Sequence, residues 1–122
     1  MAISNDLSER LSSLNLAEAV ERVGGDDELL LDIAGVYLGE YPGLLDEIGQ
    51  AVEAGDAPRL LHSAHTLKGS LATIGADRAA AVALQLEMMG REAETSGAAE
   101  PLTRLRAALE EVHRDLALLI RS

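Results

Sequence analysis

The sequence lacks cysteine, phenylalanine and tryptophan altogether, and Tyr37 and Tyr41 are its only tyrosines. Without cysteine, the chain can form no disulfide, thiolate nucleophile or cysteine-ligated zinc site. Nearly half of the residues are nevertheless apolar, at 48%. The core must therefore be built mainly from leucine, alanine, valine and isoleucine, a composition that favours closely packed helices.

Basic side chains are also scarce. Lysine and arginine together number 10 against 21 aspartates and glutamates, which gives a formal charge of −11. A negative field of this size repels a polyanion, so the sequence predicts no nucleic-acid partner.

Targeting and membrane signals are missing as well. Segment 1–10 contains Asn5, Asp6 and Glu9 and does not resemble a signal peptide. The longest apolar run near the end, 116–120, is far too short to span a bilayer. Since 122 residues suffice for one core, we expect a single domain. Without a targeting or membrane-spanning segment, we expect that domain to be cytoplasmic and to have no membrane partner.

Helical periodicity dominates the chain, and no segment alternates as a strand would. Asn15 followed by Glu18 forms a capping box that opens a helix, which Gly24-Gly25 closes. The further helix boundaries follow from the same kinds of signal. Helices begin at caps formed by Asp26 or Asp27 and by Asp56, with Pro58 in the first turn of the latter, and they end at Gly55 and Gly75. These signals predict helices over 7–14, 26–54, 57–74 and 77–95, and a last helix from about Pro101 to Leu119. Pro42-Gly43 predicts a kink or break just before Tyr41-Pro42.

Three of the predicted helices carry apolar seams spaced by three and four residues. The seams are Leu60, Ala64, Leu67, Leu71 and Ile74; Ala79, Val82, Leu86, Met89 and Ala93; and Leu102, Leu105, Leu109, Val112, Leu116 and Leu119. Such seams, with short loops between them, are typical of antiparallel bundles. We therefore predict an all-α protein, an up-down antiparallel four-helix bundle with one or two extra N-terminal helices. Residues 1–14 would form an N-terminal extension and 15–122 the bundle domain.

His65 is the strongest candidate for a functional residue. At about 100° per residue, it falls roughly 115° from the centre of its helix seam, at the border between core and solvent. His62 falls about 175° away and should be fully exposed. Lys68 lies on the same flank as His65, with Gly69 just beyond. Since neutral imidazole is a competent nucleophile near pH 7, a histidine held on one side and open on the other suits phosphoryl transfer.

The string 61–76 around His65 resembles the signature of histidine-containing phosphotransfer (HPt) domains. Flanking pieces extend this resemblance over about residues 15–119. They are Gly24-Gly25-Asp26 with Leu29-Leu30, Tyr37-Leu38, Tyr41-Pro42-Gly43-Leu44-Leu45, Ala54-Gly55-Asp56, and Leu86-Glu87 with Arg91.

The resemblance implies roles for individual residues. His65 would accept the phosphoryl group through Nε2, Lys68 would stabilise the phosphohistidine, and Gly69 would leave space for a docking protein. Arg91 would either add positive charge beside the phosphoryl group or form a surface pair with Glu87, and both readings stay open. Tyr37 would join either the docking surface or the core.

The resemblance also implies partners. The domain would receive a phosphoryl group from a receiver-domain aspartate and pass it to another, within a relay that includes a hybrid sensor histidine kinase and response regulators. It would act as a phosphotransfer intermediate with no ATP site, as a monomer. It would need no cofactor of its own, and the required Mg²⁺ would bind in the partner receiver domain.

Three other readings remain open from the sequence. The chain could be the phosphoacceptor domain of a chemotaxis-type histidine kinase, which has a similar histidine helix. It could be a non-catalytic helical adaptor, although neither His65 nor Lys68 is lost. It could also bind a metal ion between His62 and His65, although no third ligand is obvious. His113 is interpreted as a structural or solvated residue.

Overall fold

The computed structural model describes residues 3–122. It contains six helices: α1 Asn5–Arg10, α2 Leu16–Arg22, α3 Asp27–Ala54, α4 Ala57–Thr73, α5 Asp77–Arg91 and α6 Ala99–Arg121. Helix α3 packs on α4 and α6, and α5 also packs on α4 and α6, so these four helices close a ring. The short links 55–56 and 74–76 make neighbouring helices antiparallel. The predicted four-helix bundle with additional N-terminal helices is thus confirmed.

Side-chain caps begin three of the helices as predicted. Asn15, Asp26 and Asp56 each accept a hydrogen bond from the backbone N–H three residues further on. The capping box at Asn15 differs in one respect, because Glu18 bonds to the Asn15 side-chain amide at 2.9 Å. The backbone N–H of Asn15 is already donated to the carbonyl of Gly75 at 2.7 Å. The start of α2 is thereby fixed to the end of α4.

Of the kink or break predicted just before Tyr41-Pro42, the break is wrong, since α3 continues through Pro42 as one helix of 28 residues. Buried side chains on both sides of the proline explain this continuity: Tyr37 precedes it and Ile48 follows it in the same core. Proline costs one backbone hydrogen bond in a helix, and tertiary packing can offset that local cost.

Three other helices differ from the predicted bounds, α6 only by two residues at each end, since it covers Ala99–Arg121. Helix α1 covers Asn5–Arg10 rather than 7–14. Helix α5 ends at Arg91 rather than near residue 95, because Ala93 adopts a positive φ of 55°. The backbone N–H of Glu94 then bonds to the carbonyl of Met89, which terminates the helix.

The seams predicted for α4 and α6 are buried in full. The seam of α5 is only partly correct, because Val82 and Met89 are half-buried and Ala93 is exposed. The buried face of α5 instead comprises Ala79, Ala83, Leu86, Glu87 and Gly90. Most of these residues are small, as expected where two helices approach closely.

Residues before α2 pack on the same core as the bundle. Leu7, Leu11 and Leu14 are buried. The Ser13 hydroxyl donates a hydrogen bond to Asp115 at 2.5 Å, which links the N-terminal region to α6. Across residues 3–122, no helix is long and apolar enough to cross a membrane.

Replacing Gly75 with alanine should destabilise the fold by about 2 to 4 kcal/mol, from left-handed backbone strain together with overpacking. Its φ is +79°, and an added Cβ would lie 2.5 Å from the carbonyl oxygen of Asn15. Gly25→Ala is the matched control, since φ is +81° there but nothing lies within 4 Å of the added Cβ. It should cost only the strain, about 1 to 2 kcal/mol. Urea unfolding followed by far-ultraviolet circular dichroism measures both, and equal losses would contradict the steric argument.

Candidate functional site

His65 lies on the outer edge of α4, next to the buried residues Ala64 and Leu67. Its side chain is 65% exposed, yet its Nδ1 atom is 3.2 Å from Oε1 of Glu87 on α5. The ring is therefore anchored through one nitrogen while most of its surface faces solvent. This agrees with the border position that helical geometry predicts for His65.

Glu87 is the buried centre of the site. Its side chain is only 2% exposed, and its two carboxylate oxygens receive bonds from both helices. Oε1 accepts from Lys68 Nζ at 2.8 Å, and Oε2 accepts from an Arg91 Nη atom at 3.1 Å. We call His65, Lys68, Glu87 and Arg91 the Glu87 cluster.

The cluster keeps the Glu87 carboxyl ionised. The hydrogen bond from Lys68 is the main cause that lowers the pKa of Glu87 below its ordinary value, and the bond from His65 acts in the same direction. Burial opposes both, because it disfavours a charged carboxylate. The partners outweigh burial, so Glu87 carries a negative charge near neutral pH.

An ionised Glu87 fixes the tautomer of His65. A carboxylate can only accept hydrogen bonds, so Nδ1 of His65 must carry the proton in the 3.2 Å bond. In the neutral ring, Nε2 then keeps its lone pair. The arrangement leaves the lone pair on Nε2, and Nε2 is the atom that the sequence resemblance implies for phosphoryl transfer.

Gly69 and its surroundings leave open space beside His65. An added Cβ at Gly69 would meet nothing within 4 Å. Thr73 follows Gly69 at i+4 on the same flank of α4, and it lines a shallow depression together with Ile33, Val36, Tyr37, Glu40 and Ser70. Val36 is 59% exposed there. A low surface therefore extends from His65 towards α3.

Tyr37 belongs to the core, which decides between its two predicted roles. It is buried, and its ring stacks on Tyr41 with centroids 5.0 Å apart. Burial raises the pKa of Tyr37 well above its ordinary range. The exposed residue of this part of α3 is instead its neighbour Val36.

The other two histidines lie outside the cluster. His62 is exposed, as predicted, and lines a depression with Pro58, Leu61, His65 and Arg91. His113 on α6 bonds through Nδ1 to the Tyr41 hydroxyl at 2.6 Å. In the part of the chain that the structure describes, no three His, Asp or Glu side chains gather closely enough to hold a metal ion.

The structure brings His65, Lys68 and Arg91 together, whereas sequence reasoning missed the central position of Glu87. Arg91 does pair with Glu87 at i−4, but the carboxylate is buried, so the pair is not a simple surface pair. One signal could have identified Glu87. It follows Ala79 and Ala83 at four-residue intervals and precedes Gly90 by three, a row of small residues that marks a close helix contact. Lys68 is also the only lysine of the chain.

Comparison with known proteins agrees with this geometry. The family model described as "Hpt domain" matches residues 32–115. Among solved structures, the chain is similar to histidine-containing phosphotransfer protein B (HptB) from Pseudomonas aeruginosa PAO1, at 27% identity and a TM-score of 0.55. That match covers 97% of this chain and 90% of the other. A search of curated proteins finds no match.

The chain therefore belongs to the Hpt domain family. Its role is histidine phosphotransfer in a phosphorelay, as the family match and the similarity to HptB support together.

Replacing Glu87 with glutamine should lower stability by about 1 to 2 kcal/mol at pH 7, because the Lys68 ammonium then bonds to a neutral amide oxygen instead of a carboxylate. His65 and Arg91 are mostly exposed and contribute less. The pKa of Glu87 is lowered on folding, so its contribution is present above the unfolded value of 4.5 and is lost as the pH falls through the lower folded value. Urea unfolding at pH 7 and at pH 3 should show the two proteins converging in acid, and a constant difference would contradict this account.

Proposed function

We propose that His65 is the phosphoacceptor of this domain and shuttles a phosphoryl group between receiver-domain aspartates. The proposal depends on two properties that His65 combines. Its Nδ1 atom is hydrogen-bonded to the buried Glu87 carboxylate, and 65% of its side chain is nevertheless exposed. An unanchored surface histidine would lack the orientation, and a buried one could not meet a partner.

The transfer step needs little from the protein besides positioning and charge. The lone pair of His65 Nε2 attacks the phosphorus of the aspartyl phosphate, and the bond from phosphorus to the aspartate oxygen breaks. The electron pair leaves with the aspartate carboxylate. The ring becomes a cation that keeps its Nδ1 proton, and Glu87 stabilises that cation at 3.2 Å. No proton has to leave, so attack by a second aspartate reverses the step and restores the neutral ring.

Lys68 and Arg91 supply positive charge to the phosphoryl group. Together with Glu87 they carry two positive charges and one negative, a net charge of +1 in a chain of net charge −11. Lys68 is 28% exposed and Arg91 61%, so both can reach an incoming phosphate. Arg91 also borders the depression next to His65, which favours a phosphate-side role over a purely structural one.

The receiver would dock across the low surface between α4 and α3. A specific interface buries about 800 Å² on each partner, so it must reach well beyond one side chain. The surface from His65 over Gly69 to Thr73 spans nine residues of α4, or about 12 Å along the helix axis. Val36 and Ile33 then extend it onto α3. The absence of a side chain at Gly69 lets the receiver approach Nε2 in line.

The partners would be receiver domains of response regulators and of a hybrid sensor histidine kinase. Mg²⁺ would bind in the receiver, and this domain would act as a monomer with no ATP chemistry of its own. The phosphoacceptor domain of a chemotaxis-type kinase remains the nearest alternative, since it would use the same imidazole. Phosphorylation by a chemotaxis kinase core with ATP, but not by phosphorylated receivers, would favour that alternative.

Replacing His65 with alanine should abolish labelling by a phosphorylated receiver domain, because the chain loses its Nε2 nucleophile. Transfer of radiolabelled phosphate, resolved on a gel, measures this directly. Circular dichroism should show an intact fold, since His65 is mostly exposed.

His113→Ala is the matched control, because His113 is an exposed histidine on α6, outside the Glu87 cluster. This variant should be labelled at the wild-type rate. Full labelling of His65→Ala would contradict the proposal. Receiver binding without labelling of the wild-type protein would identify a non-catalytic adaptor.

Replacing Val36 with glutamate should raise the KM for the receiver roughly tenfold, because a charge enters the apolar part of the docking surface. The rate at saturating receiver should stay unchanged, since Val36 lies on α3 and outside the Glu87 cluster. Leu118→Glu is the control: Leu118 is 51% exposed but lies on α6. Transfer rates measured over a range of receiver concentrations test both, and equal effects of the two variants would contradict the assigned surface.

A further inference from the structure

Helices α4 and α5 touch through their backbones at one glycine. Gly90 is buried on the face of α5 that meets α4. A Cβ added there would lie 2.6 Å from the backbone nitrogen of Leu61, 2.9 Å from its Cα and 2.9 Å from the carbonyl oxygen of Ala57. These are backbone atoms, so no side-chain rotation can relieve the clash. Only glycine permits the two helices to lie this close.

This contact lies one helical turn from the bond between His65 and Glu87. Gly90 follows Glu87 by three residues on α5, and Leu61 precedes His65 by four on α4. At 1.5 Å per residue, the separation along each helix is about 5 Å. The backbone contact and the hydrogen bond therefore depend on the same local spacing.

The hydrogen bond between His65 and Glu87 cannot lengthen to accommodate a wider separation of α4 and α5. Its length of 3.2 Å is at the upper end of the range for N–H donors. A Cβ in ordinary contact needs about 3.5 Å, so alanine at position 90 would require the helices to separate by roughly 1 Å. The long side chains of Lys68 and Arg91 can follow such a movement, whereas the short stem of His65 cannot.

We propose that Gly90 is a positioning residue for phosphoryl transfer, because the backbone contact it permits sets the distance from His65 Nδ1 to the Glu87 carboxylate. This inference rests on the proposed role of His65. Glycine at position 90 thus fixes the tautomer of the nucleophile without touching it, by holding α5 against α4.

The test compares Gly90→Ala with Gly43→Ala. Gly43 also lies inside a helix, and a Cβ there would meet nothing within 4 Å. Two quantities are measured: the transfer rate at saturating receiver, and the ¹⁵N chemical shifts of the His65 ring, which report the tautomer. Gly43→Ala should match the wild type in both. Gly90→Ala should lower the saturating rate roughly tenfold with little change in KM, and the ring should populate both tautomers.

A merely structural role for Gly90 would lower the unfolding midpoint but leave the tautomer and the saturating rate of the folded protein unchanged. That result would overturn the inference. It would leave the proposed function intact, because that function is tested separately by the labelling of the wild-type protein and of His65→Ala.

Glu87→Asp keeps the test decisive if Gly90→Ala does not fold. This variant retains the backbone contact but withdraws the carboxylate by one methylene, about 1.5 Å. It should show the same mixture of tautomers and a slowed saturating rate. If Glu87→Asp keeps a single Nδ1-protonated ring and the wild-type rate, the distance has slack and the inference is wrong.

Discussion

The carboxylate of Glu87 lies almost completely buried between α4 and α5, and His65, Lys68 and Arg91 all bond to it. A buried charge is costly unless each of its oxygens is satisfied, and here both oxygens are. The requirement acts in both directions. Glu87 needs its cationic partners to remain charged inside the protein, and His65 needs a charged Glu87 to keep its proton on Nδ1. One interaction therefore couples the interior of the bundle to the orientation and tautomer of a histidine on its surface.

This coupling explains how a small helical bundle can orient an imidazole that remains mostly exposed. Enzymes commonly orient a histidine within a cleft, where the walls restrict the ring. Here a single hydrogen bond from the buried Glu87 carboxylate restricts the His65 ring, and the outer face of the ring stays accessible to another protein. Such an arrangement requires two helices at a defined separation, and the small residues of α5 that face α4 provide it.

Much of this architecture could be predicted from the sequence because its determinants are local. Caps at Asn15, Asp26 and Asp56 and the seams of α4 and α6 follow from spacing alone. The exposure of His65 and its proximity to Lys68 follow in the same way. The continuity of α3 through Pro42 could not be predicted, because packing against neighbouring helices overrides a local preference. The central position of Glu87 was also missed, because the burial of its carboxylate depends on partners contributed by another helix.

The two tyrosines have a practical consequence for studying this protein. Tyr37 and Tyr41 stack on each other within α3, and His113 of α6 meets the Tyr41 ring edge-on at 5.7 Å. With no tryptophan or phenylalanine in the chain, the near-ultraviolet spectrum and the intrinsic fluorescence report only on the surroundings of these two tyrosines of α3. Optical signals of tertiary structure will therefore follow the packing of α3 on α4 and α6. A local opening between α4 and α5 can pass without a spectral change.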